Sequence, residues 1–544
     1  MKKVLIIGSG IAGLTCAIEC ADRGMQAILA SPYPSERAQS VLAAGGINAV
    51  ISSTVNGDSI KSHIEDTIKG GCFLAGNNAV KGLCEDAPDI IRWLEKLGTV
   101  FSIDPDGNIK QRAFGGQSFK RTCYCGSSTG KQIVTALVME SRRFEGMGLI
   151  KRRLRLNFYS ALISNGVCYG AIFYDEEKDD MEAIVADCVV IATGGQNALF
   201  GKTTGSSLCD GYVEGKLFTQ GVELKNLEFI QYHPTTIITP QKRMLISEAV
   251  RGEGGRLYYN ENGKRIYFME EKYGKNGNLM PRDVISRCMD EIGKEIFLDI
   301  SFLGKEEIQK RVPEVYELCM KYANLDISKQ SIPVSPSVHF FMGGIAVKNN
   351  HETNINNLYA IGECASIYHG ANRLGGNSLL AAIHGGRVAA ESIENSALSD
   401  HNGEFEKDLT DGRKKLHKMK ASKSLFPVMY LRDLLAESMS ENLGIARNRD
   451  RLDKGIEDIS YLLSIVDKTQ YDNKRLIYPG YSITGLLVLA KATLICAAGR
   501  EESRGAHFRQ DYPEAKEEFA SATIISYDGG NFRTYLDVEK QYEY

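Results

Sequence analysis

Five short stretches of the chain concentrate arginine, histidine and carboxylate side chains beside glycine-rich backbone. Arginine and imidazole groups bind anions through charge-assisted hydrogen bonds, and a neighbouring carboxylate can hold or pass a proton. The stretches are 231–235 (QYHPT), 247–255 (SEAVRGEGG), 281–283 (PRD), 337–339 (SVH) and 369–378 (HGANRLGGNS).

Each stretch taken alone also has an ordinary structural interpretation. His233 precedes a proline and fits a loop histidine. Glu248 and Arg251 are spaced i,i+3, which is typical of a pair on a helix surface. Arg282 and Asp283 fit the start of a helix, where they would act as capping residues. The chemical interpretation therefore depends on whether the fold brings the five stretches together.

The amino end of the chain predicts the element that organises the fold. Residues 2–7 (KKVLII) predict a short buried parallel strand, 14–23 a helix and 26–31 a second strand. Gly8, Gly10 and Gly13 between strand and helix match the dinucleotide fingerprint, which aims backbone N–H groups at a pyrophosphate. The alternative is a loop that only packs helix on strand. The loop alone does not distinguish NAD from FAD.

The carboxylate that usually closes the second strand of this fingerprint is absent. Ser31 and Pro32 stand at that position, so we expect the ribose contact to come from elsewhere. A late apolar strand, 358–362, ends at Glu363, whose carboxylate is suited to accept hydrogen bonds from ribose hydroxyls.

Composition excludes several classes of function. The 544 residues carry a formal net charge of −3, with no basic block of the kind that nucleic-acid binding requires. The 13 cysteines show no CxxC pair and no cluster spacing, which predicts reduced thiols and no metal site. No run of about 18 apolar residues is evident, so we expect no direct membrane span. A cytoplasmic location follows, with membrane association only through other subunits.

Changes of pattern along the chain suggest the domain organisation. The region between about residues 227 and 338 is richer in charge and turn residues, and it interrupts the nucleotide-binding pattern. We expect an α/β fold in which a Rossmann-like nucleotide-binding domain carries an inserted domain and is followed by a C-terminal helical domain. The expected bounds are 1–225 with 339–397, 226–338 and 398–510, followed by a C-terminal tail, 511–544.

Taken together, the five stretches, with residues 502–507 (ESRGAH), resemble the flavoprotein subunit of fumarate reductase and succinate dehydrogenase over essentially the whole chain. L-aspartate oxidase is a close relative of that family. The resemblance implies FAD as the cofactor, so that the first domain is a Rossmann-like FAD-binding domain and the inserted one an α+β capping domain. It also implies fumarate or succinate as a dicarboxylate substrate, and a partner subunit that carries iron–sulfur clusters.

The resemblance also implies a role for each site residue. Arg373, His339 and His233 hold the two carboxylates, with Ser247 and Phe114 as further substrate contacts. Reduced FAD gives a hydride to one alkene carbon, and Arg282 donates a proton to the other side. Glu248 and Arg251 relay protons to Arg282, and Asp283 orients its guanidinium.

The FAD contacts that the resemblance implies are Gly8, Gly10, Ile11, Ala12, Gly13, Ser31, Ser40, Gly45, Gly46, Ala192, Thr193, Gly194, Asp210, Glu363, Asn377, Ser378 and Leu379. Membrane-bound members of the family bond FAD covalently through a histidine seven residues before the second glycine of the Gly45-Gly46 pair. Gln39 stands at that position, which predicts noncovalent FAD.

Three alternatives remain. L-aspartate oxidase also binds FAD noncovalently, but it carries a glutamate for the substrate ammonium where this chain has the stretch 113–117 (AFGGQ). Other unsaturated-acid reductases share the site. A noncatalytic subunit that only relays electrons through FAD is the third alternative, and the full set of cationic residues argues against it.

Overall fold

The computed structural model describes residues 1–51, 57–126, 128–239, 243–397, 405–421, 426–470 and 474–537. The predicted start of the helical domain at 398 and residues 538–544 of the predicted tail lie outside these ranges.

A parallel sheet forms the centre of the amino-terminal domain. Its apolar strands are buried because helices pack against them, as is typical of parallel sheets. In spatial order the strands are Leu358–Ala360, Cys188–Ile191, Lys3–Ile7, Gln26–Ser31 and Ile150–Leu154. The larger helices of this domain are Ile11–Asp22, Ile60–Gly70, Asn77–Lys96, Thr129–Gly146 and Asn377–Asn395. The predicted strand–helix–strand unit and the Rossmann-like fold are confirmed.

The strand Lys3–Ile7 ends in a turn that only glycine fits. Gly8 has φ +114°, and a Cβ there would lie 2.2 Å from the carbonyl oxygen of Ala192, which follows the neighbouring strand. The backbones of the two strands therefore approach closely at the carboxyl edge of the sheet, where open α/β sheets bind their ligands.

An antiparallel layer extends the domain beyond the parallel sheet. The strands Leu156–Ser164 and Val167–Asp175 form a hairpin, and Asp180–Val185 pairs with the second of them. Shorter elements of the domain are the strands Ile47–Asn48, Gln111–Arg112, Thr122–Cys123, Leu224–Lys225, Gly344–Ala346 and Ala365–Ser366 and the helix Tyr212–Phe218.

The inserted domain is built on its own sheet and its own hydrophobic core. In spatial order the strands are Arg243–Leu245, Ile230–Ile238, Ile332–Phe341, Ile296–Asp299, Arg256–Glu261 and Lys264–Ile266. Its helices are Ala249–Gly252, Phe268–Tyr273, Arg282–Ile292, Gly304–Arg311 and Pro313–Leu318. Leu257, Ile285 and Leu298 belong to a core cluster separate from that of the nucleotide-binding domain. The predicted α+β capping domain is thus confirmed as a fold class.

The described residues between 405 and 499 are mostly helical, which confirms the predicted C-terminal helical domain as a fold class. Its helices are Phe405–Ala421, Val428–Asn442, Arg449–Ile465 and Ile477–Gly499. Against the expectation from sequence, the last of these is long and apolar enough to cross a membrane. In its most apolar window 78% of the residues are buried inside the protein, so it serves as a core helix.

The segment 511–537 contains a β-hairpin, although it was predicted as part of a C-terminal tail. Strands Ala522–Asp528 and Asn531–Asp537 pair with each other, and the first also pairs with Leu224–Lys225 of the nucleotide-binding domain. A buried arginine secures this junction. Arg500 donates from Nε to Glu228 Oε1 (2.6 Å) and from Nη2 to the carbonyl of Ser521 (2.7 Å).

Candidate active site

A cavity of about 560 Å³ runs from the glycine turn to the inner face of the capping domain. Most of the predicted cofactor residues line it: Gly8, Gly10, Ile11, Ala12, Ser31, Ser40, Gly45, Gly46, Ala192, Thr193, Gly194, Asp210, Glu363, Ser378 and Leu379. Gly13 and Asn377 support the wall from behind. The volume lies within the usual range of ligand pockets in proteins.

The glycine turn fits the phosphates of FAD. The helix Ile11–Asp22 begins at Gly10, which has no side chain to cap it, and this helix end lines the cavity. The N–H of Ile11 donates to Ser40 Oγ (3.3 Å), another residue of the cavity wall. A Cβ on Gly13 would lie 2.0 Å from the carbonyl oxygen of Gly8, so helix and turn can pack only through glycine. The turn therefore provides the positive, side-chain-free cradle that a pyrophosphate needs.

Asn377 holds the loop at the far wall of the cavity through its side chain. Its Oδ1 accepts a hydrogen bond from Asn48 Nδ2 (2.7 Å), and His63 Nε2 lies 3.1 Å from the same oxygen. Asn48 Nδ2 also donates to the carbonyl of Gly375 (2.7 Å). Asn48 and His63 were not predicted from sequence, because neither belongs to a recognisable motif.

Two buried carboxyl groups face the cofactor part of the cavity. Burial raises the pKa of Asp210, whose Oδ2 accepts a hydrogen bond from Tyr478 Oη (2.7 Å). Burial likewise raises the pKa of Glu363 to about 7, and its Oε1 accepts from the N–H of Phe341 (3.2 Å). Both groups can accept hydrogen bonds from hydroxyl groups of FAD when ionised, and can donate to them when protonated. The ribose role expected for Glu363 stays a prediction.

A buried ion network lies where the capping domain faces the cavity. Glu248 Oε2 accepts from Arg282 Nε (2.9 Å) and Nη2 (2.7 Å), while Oε1 accepts from the N–H of Gly115 (2.9 Å). Arg251 Nη2 lies 3.3 Å from Oε1. Burial acts to raise the pKa of Glu248, but the two guanidinium groups outweigh it and lower the pKa to about 2. Glu248 is therefore a carboxylate between two arginines.

Two imidazoles face this network from the capping sheet. The rings of His233 and His339 lie 5.0 Å apart, and His339 Nδ1 is 2.8 Å from Thr204 Oγ1. Burial, followed by the neighbouring groups, lowers the pKa of both histidines well below the usual value. Both rings are consequently neutral at physiological pH and act as hydrogen-bonding groups.

Arg373 reaches the same space from the nucleotide-binding domain. It is 4% exposed, its guanidinium carbon lies 4.2 Å from the centre of the Phe340 ring, and its Nε has no hydrogen-bond partner among the described residues. Burial and then the charge of Arg282 lower its pKa. A buried cation with an unused donor is suited to bind an anionic group of a ligand.

Ser247 and Phe114 complete the wall of the substrate space. Both are buried and line the cavity. The Phe114 ring lies against Gly45, where an added Cβ would be 3.1 Å from it. Phe114 therefore adds an apolar ring to a lining that also contains Arg282 and Arg373.

Two of the predicted catalytic residues do not line the cavity. Arg251 lies behind Glu248 and donates from Nη1 to the carbonyl of Asn278 (2.8 Å). Asp283 was expected to orient the guanidinium of Arg282, but its Oδ1 accepts from Asn372 Nδ2 (2.7 Å). The third nitrogen of Arg282, Nη1, instead donates to Gln231 Oε1 (3.0 Å). Neighbours in sequence thus point to different partners at the start of a helix.

The family models agree with this geometry. The FAD binding domain model matches residues 3–379, and the model for the fumarate reductase flavoprotein C-term matches 432–542.

Individual proteins of the same kind match nearly the whole chain. The succinate dehydrogenase flavoprotein subunit of Bacillus subtilis is 36% identical over 567 residues, covering 99% of this chain and 96% of the relative. L-aspartate oxidase of Yersinia pestis is 31% identical over 536 residues, covering 94% and 96%. The solved structure of a quinol-fumarate reductase with menaquinol molecules superposes with a TM-score of 0.91 at 29% identity, over 98% of both chains.

The glycine cradle, the cavity and these matches over both halves of the chain lead to one conclusion. The chain belongs to the family of succinate dehydrogenase and fumarate reductase flavoprotein subunits, and it is an FAD-dependent oxidoreductase.

Proposed function

We propose that the protein reduces fumarate to succinate, or catalyses the reverse, with noncovalent FAD as cofactor and Arg282 as proton donor. The observation that carries this proposal is the pairing of two buried arginines, Arg282 and Arg373, with two neutral imidazoles around one cavity. Such a site has positive charge and hydrogen-bond donors for a small doubly negative acid.

Three residues would hold the substrate. Arg373 has an unused donor and the planar fork that grips a carboxylate in a bidentate manner. His233 and His339, as neutral rings, can each donate one hydrogen bond to a carboxylate oxygen. Binding both carboxylates of fumarate polarises its double bond and makes one alkene carbon electrophilic.

Bound in its reduced form, FAD supplies the hydride for that carbon. The second alkene carbon then carries the electron pair and needs one proton to give succinate. Arg282 is suited to donate it, because its bonds to Glu248 and Gln231 take up Nε–H and one hydrogen of each terminal nitrogen. The second hydrogen of each terminal nitrogen remains for the substrate.

Arg282 must regain a proton after each turnover. Glu248 bonds Arg282 directly and lies 3.3 Å from Arg251, which forms a continuous chain of ionisable groups leading away from the cavity. A proton would pass from Arg251 through Glu248 to Arg282. The protonated state of Glu248 is transient, since its pKa is lowered to about 2.

Gln39 supports noncovalent FAD. It lines the cavity, and its Oε1 accepts a hydrogen bond from the N–H of Ser206 (2.5 Å). A carboxamide lacks the nucleophilic nitrogen through which a histidine bonds the flavin. Without that bond the flavin potential is expected to be lower, which favours fumarate reduction over succinate oxidation.

The electrons would come from a partner subunit that carries iron–sulfur clusters. The support for this comes from the family, since one of the matched solved structures is a quinol-fumarate reductase with menaquinol molecules. Attachment to a membrane would then occur through partner subunits.

L-aspartate oxidase is the second candidate, because a relative of that name matches 94% of the chain. Phe114 disfavours it. The ring of Phe114 is 4% exposed and forms the cavity wall, and it offers no charge for a substrate ammonium group.

One experiment separates the candidates. The FAD-loaded protein is reduced with dithionite and mixed with fumarate, and both flavin reoxidation and succinate are measured. We expect reoxidation with one succinate formed per flavin. Turnover of L-aspartate with oxygen in its place would support the oxidase, and a flavin that stays reduced with fumarate would support an electron relay.

A further inference from the structure

A chain of side-chain hydrogen bonds runs from Arg282 to Asp283 through two amides. Arg282 Nη1 donates to Gln231 Oε1 (3.0 Å), and Gln231 Nε2 donates to Asn372 Oδ1 (2.8 Å). Asn372 Nδ2 then donates to Asp283 Oδ1 (2.7 Å). Gln231 is 0% exposed and Asn372 4%, so water does not compete for these bonds.

The two ends of this hydrogen-bond chain determine how both amide side chains are oriented. A guanidinium can only donate, and a carboxylate can only accept. Each amide must therefore turn its oxygen toward Arg282 and its NH₂ group toward Asp283. Burial raises the pKa of Asp283, while the charge of Arg287 and the bond from Asn372 oppose that shift.

The hydrogen-bond chain also connects the capping domain to the nucleotide-binding domain at the site. Gln231, Arg282 and Asp283 belong to the capping domain, whereas Asn372 belongs to the glycine-rich loop that carries Arg373. Gln231 Nε2 donates a second bond to the carbonyl oxygen of Arg373 (2.8 Å). The relative position of the two arginines is thus linked to one amide contact across the domain boundary.

We propose that Asn372 is a positioning residue for Arg282: it orients Gln231 so that the guanidinium faces the substrate at a set distance from Arg373. This inference rests on the proposed role of Arg282 as proton donor. Glu248 accepts hydrogen bonds from Nε and Nη2 of Arg282. Without the bond from Nη1 to Gln231, the guanidinium could rotate about these two bonds. Arg282 and Arg373 carry like charges, so their separation must be maintained against repulsion.

The test reverses the polarity of one bond and then restores it. Asn372→Asp places a carboxylate against Asp283, and repulsion between the two carboxylates pushes the side chain at position 372 away from both Asp283 and Gln231, which breaks the hydrogen-bond chain. The double variant Asn372→Asp with Asp283→Asn exchanges the two groups and restores a donor facing an acceptor. We expect kcat for fumarate reduction to fall about tenfold in the single variant, the effect of one lost buried hydrogen bond. Most of that loss should be recovered in the double variant.

Further measurements separate positioning from folding and from substrate binding. FAD content and the affinity for malonate, which has no double bond to reduce, should stay within about twofold of wild type, since a twofold change is less than half of the tenfold step in free energy. The melting temperature should fall by no more than the few degrees that correspond to one lost hydrogen bond. The control for the added charge is Asn262→Asp, in an exposed turn of the capping domain. It should leave kcat unchanged.

Three results would overturn the inference while the proposed function stands. They are a wild-type kcat in Asn372→Asp, a double variant no better than the single one, and a loss of malonate affinity as large as the loss of kcat. A wild-type protein without fumarate turnover would instead overturn the proposed function. Crystal structures of the variants still decide the inference in that case, since Arg282 should leave Gln231 in the single variant and return to it in the double variant.

Discussion

At the scale of single residues, the site keeps its charge on arginines and its imidazoles neutral. Arg282→Gln therefore removes the proposed proton donor but keeps a side chain that can bond Glu248. We expect fumarate reduction to fall between about 100-fold and 10,000-fold, the range for a lost general acid. FAD content and melting temperature should change little. Arg311→Gln, at an exposed position of the same domain, is the control, and equal losses in both variants would rule out a specific role for Arg282.

A second residue affects stability rather than turnover. Burial lowers the pKa of His351 from 6.5 to about 4, and its ring bonds the Ala360 carbonyl (2.7 Å) and Tyr368 Oη (2.5 Å). Because the unfolded chain takes up the proton first, this histidine stabilises the fold above pH 6.5, and its contribution is lost as the pH falls toward 4.

The size of this effect is about 1.4 kcal/mol per pH unit within that window. His351→Asn should lower the melting temperature at pH 7.5, since two buried bonds are impaired. The further drop between pH 6.5 and pH 5 should be smaller in the variant than in wild type. Identical drops would show that His351 does not contribute to the acid sensitivity.

At the scale of elements, the strand–turn–helix unit depends on close packing more than on helix propensity. Alanine is favoured over glycine inside a helix by up to about 1 kcal/mol. At Gly13, however, an added Cβ would lie 2.0 Å from the carbonyl oxygen of Gly8, so Gly13→Ala should lower both FAD content and melting temperature. Gly146→Ala is the matched control, because an added Cβ there meets nothing within 4 Å. Flavin absorbance per protein measures the FAD content, and calorimetry measures the melting temperature. A Gly13→Ala variant with unchanged FAD content and melting temperature would contradict the argument.

At the scale of the whole molecule, three domains contribute to one cavity, and Gln39 lines it at the position from which we predict noncovalent FAD. Precipitation with acid should release all the flavin into the supernatant. With artificial carriers in each direction, fumarate reduction by the purified protein should be faster than succinate oxidation. Flavin retained in the pellet would disprove the noncovalent mode, and faster succinate oxidation would disprove the expected direction.

Much of the fold and part of the site follow from local sequence. The glycine turn, the helix after it and the first two strands were predicted correctly because apolar periodicity and glycine spacing act over a few residues. FAD and the family were also predicted correctly, since the motifs extend over the whole chain. The apolar helix Ile477–Gly499 shows the limit of composition, because only its burial distinguishes a core helix from a membrane span.

The partners of the charged side chains depended on tertiary structure. Sequence suggested that Asp283 orients its neighbour Arg282, yet Glu248 and Gln231 hold that guanidinium. Gln231 and Asn372 lie 141 positions apart in the chain and meet only when the capping domain docks on the glycine-rich loop. Local sequence determines backbone conformation and which faces are buried. The pairing of distant polar groups is decided by how the domains pack, because burial makes each of these groups require a partner.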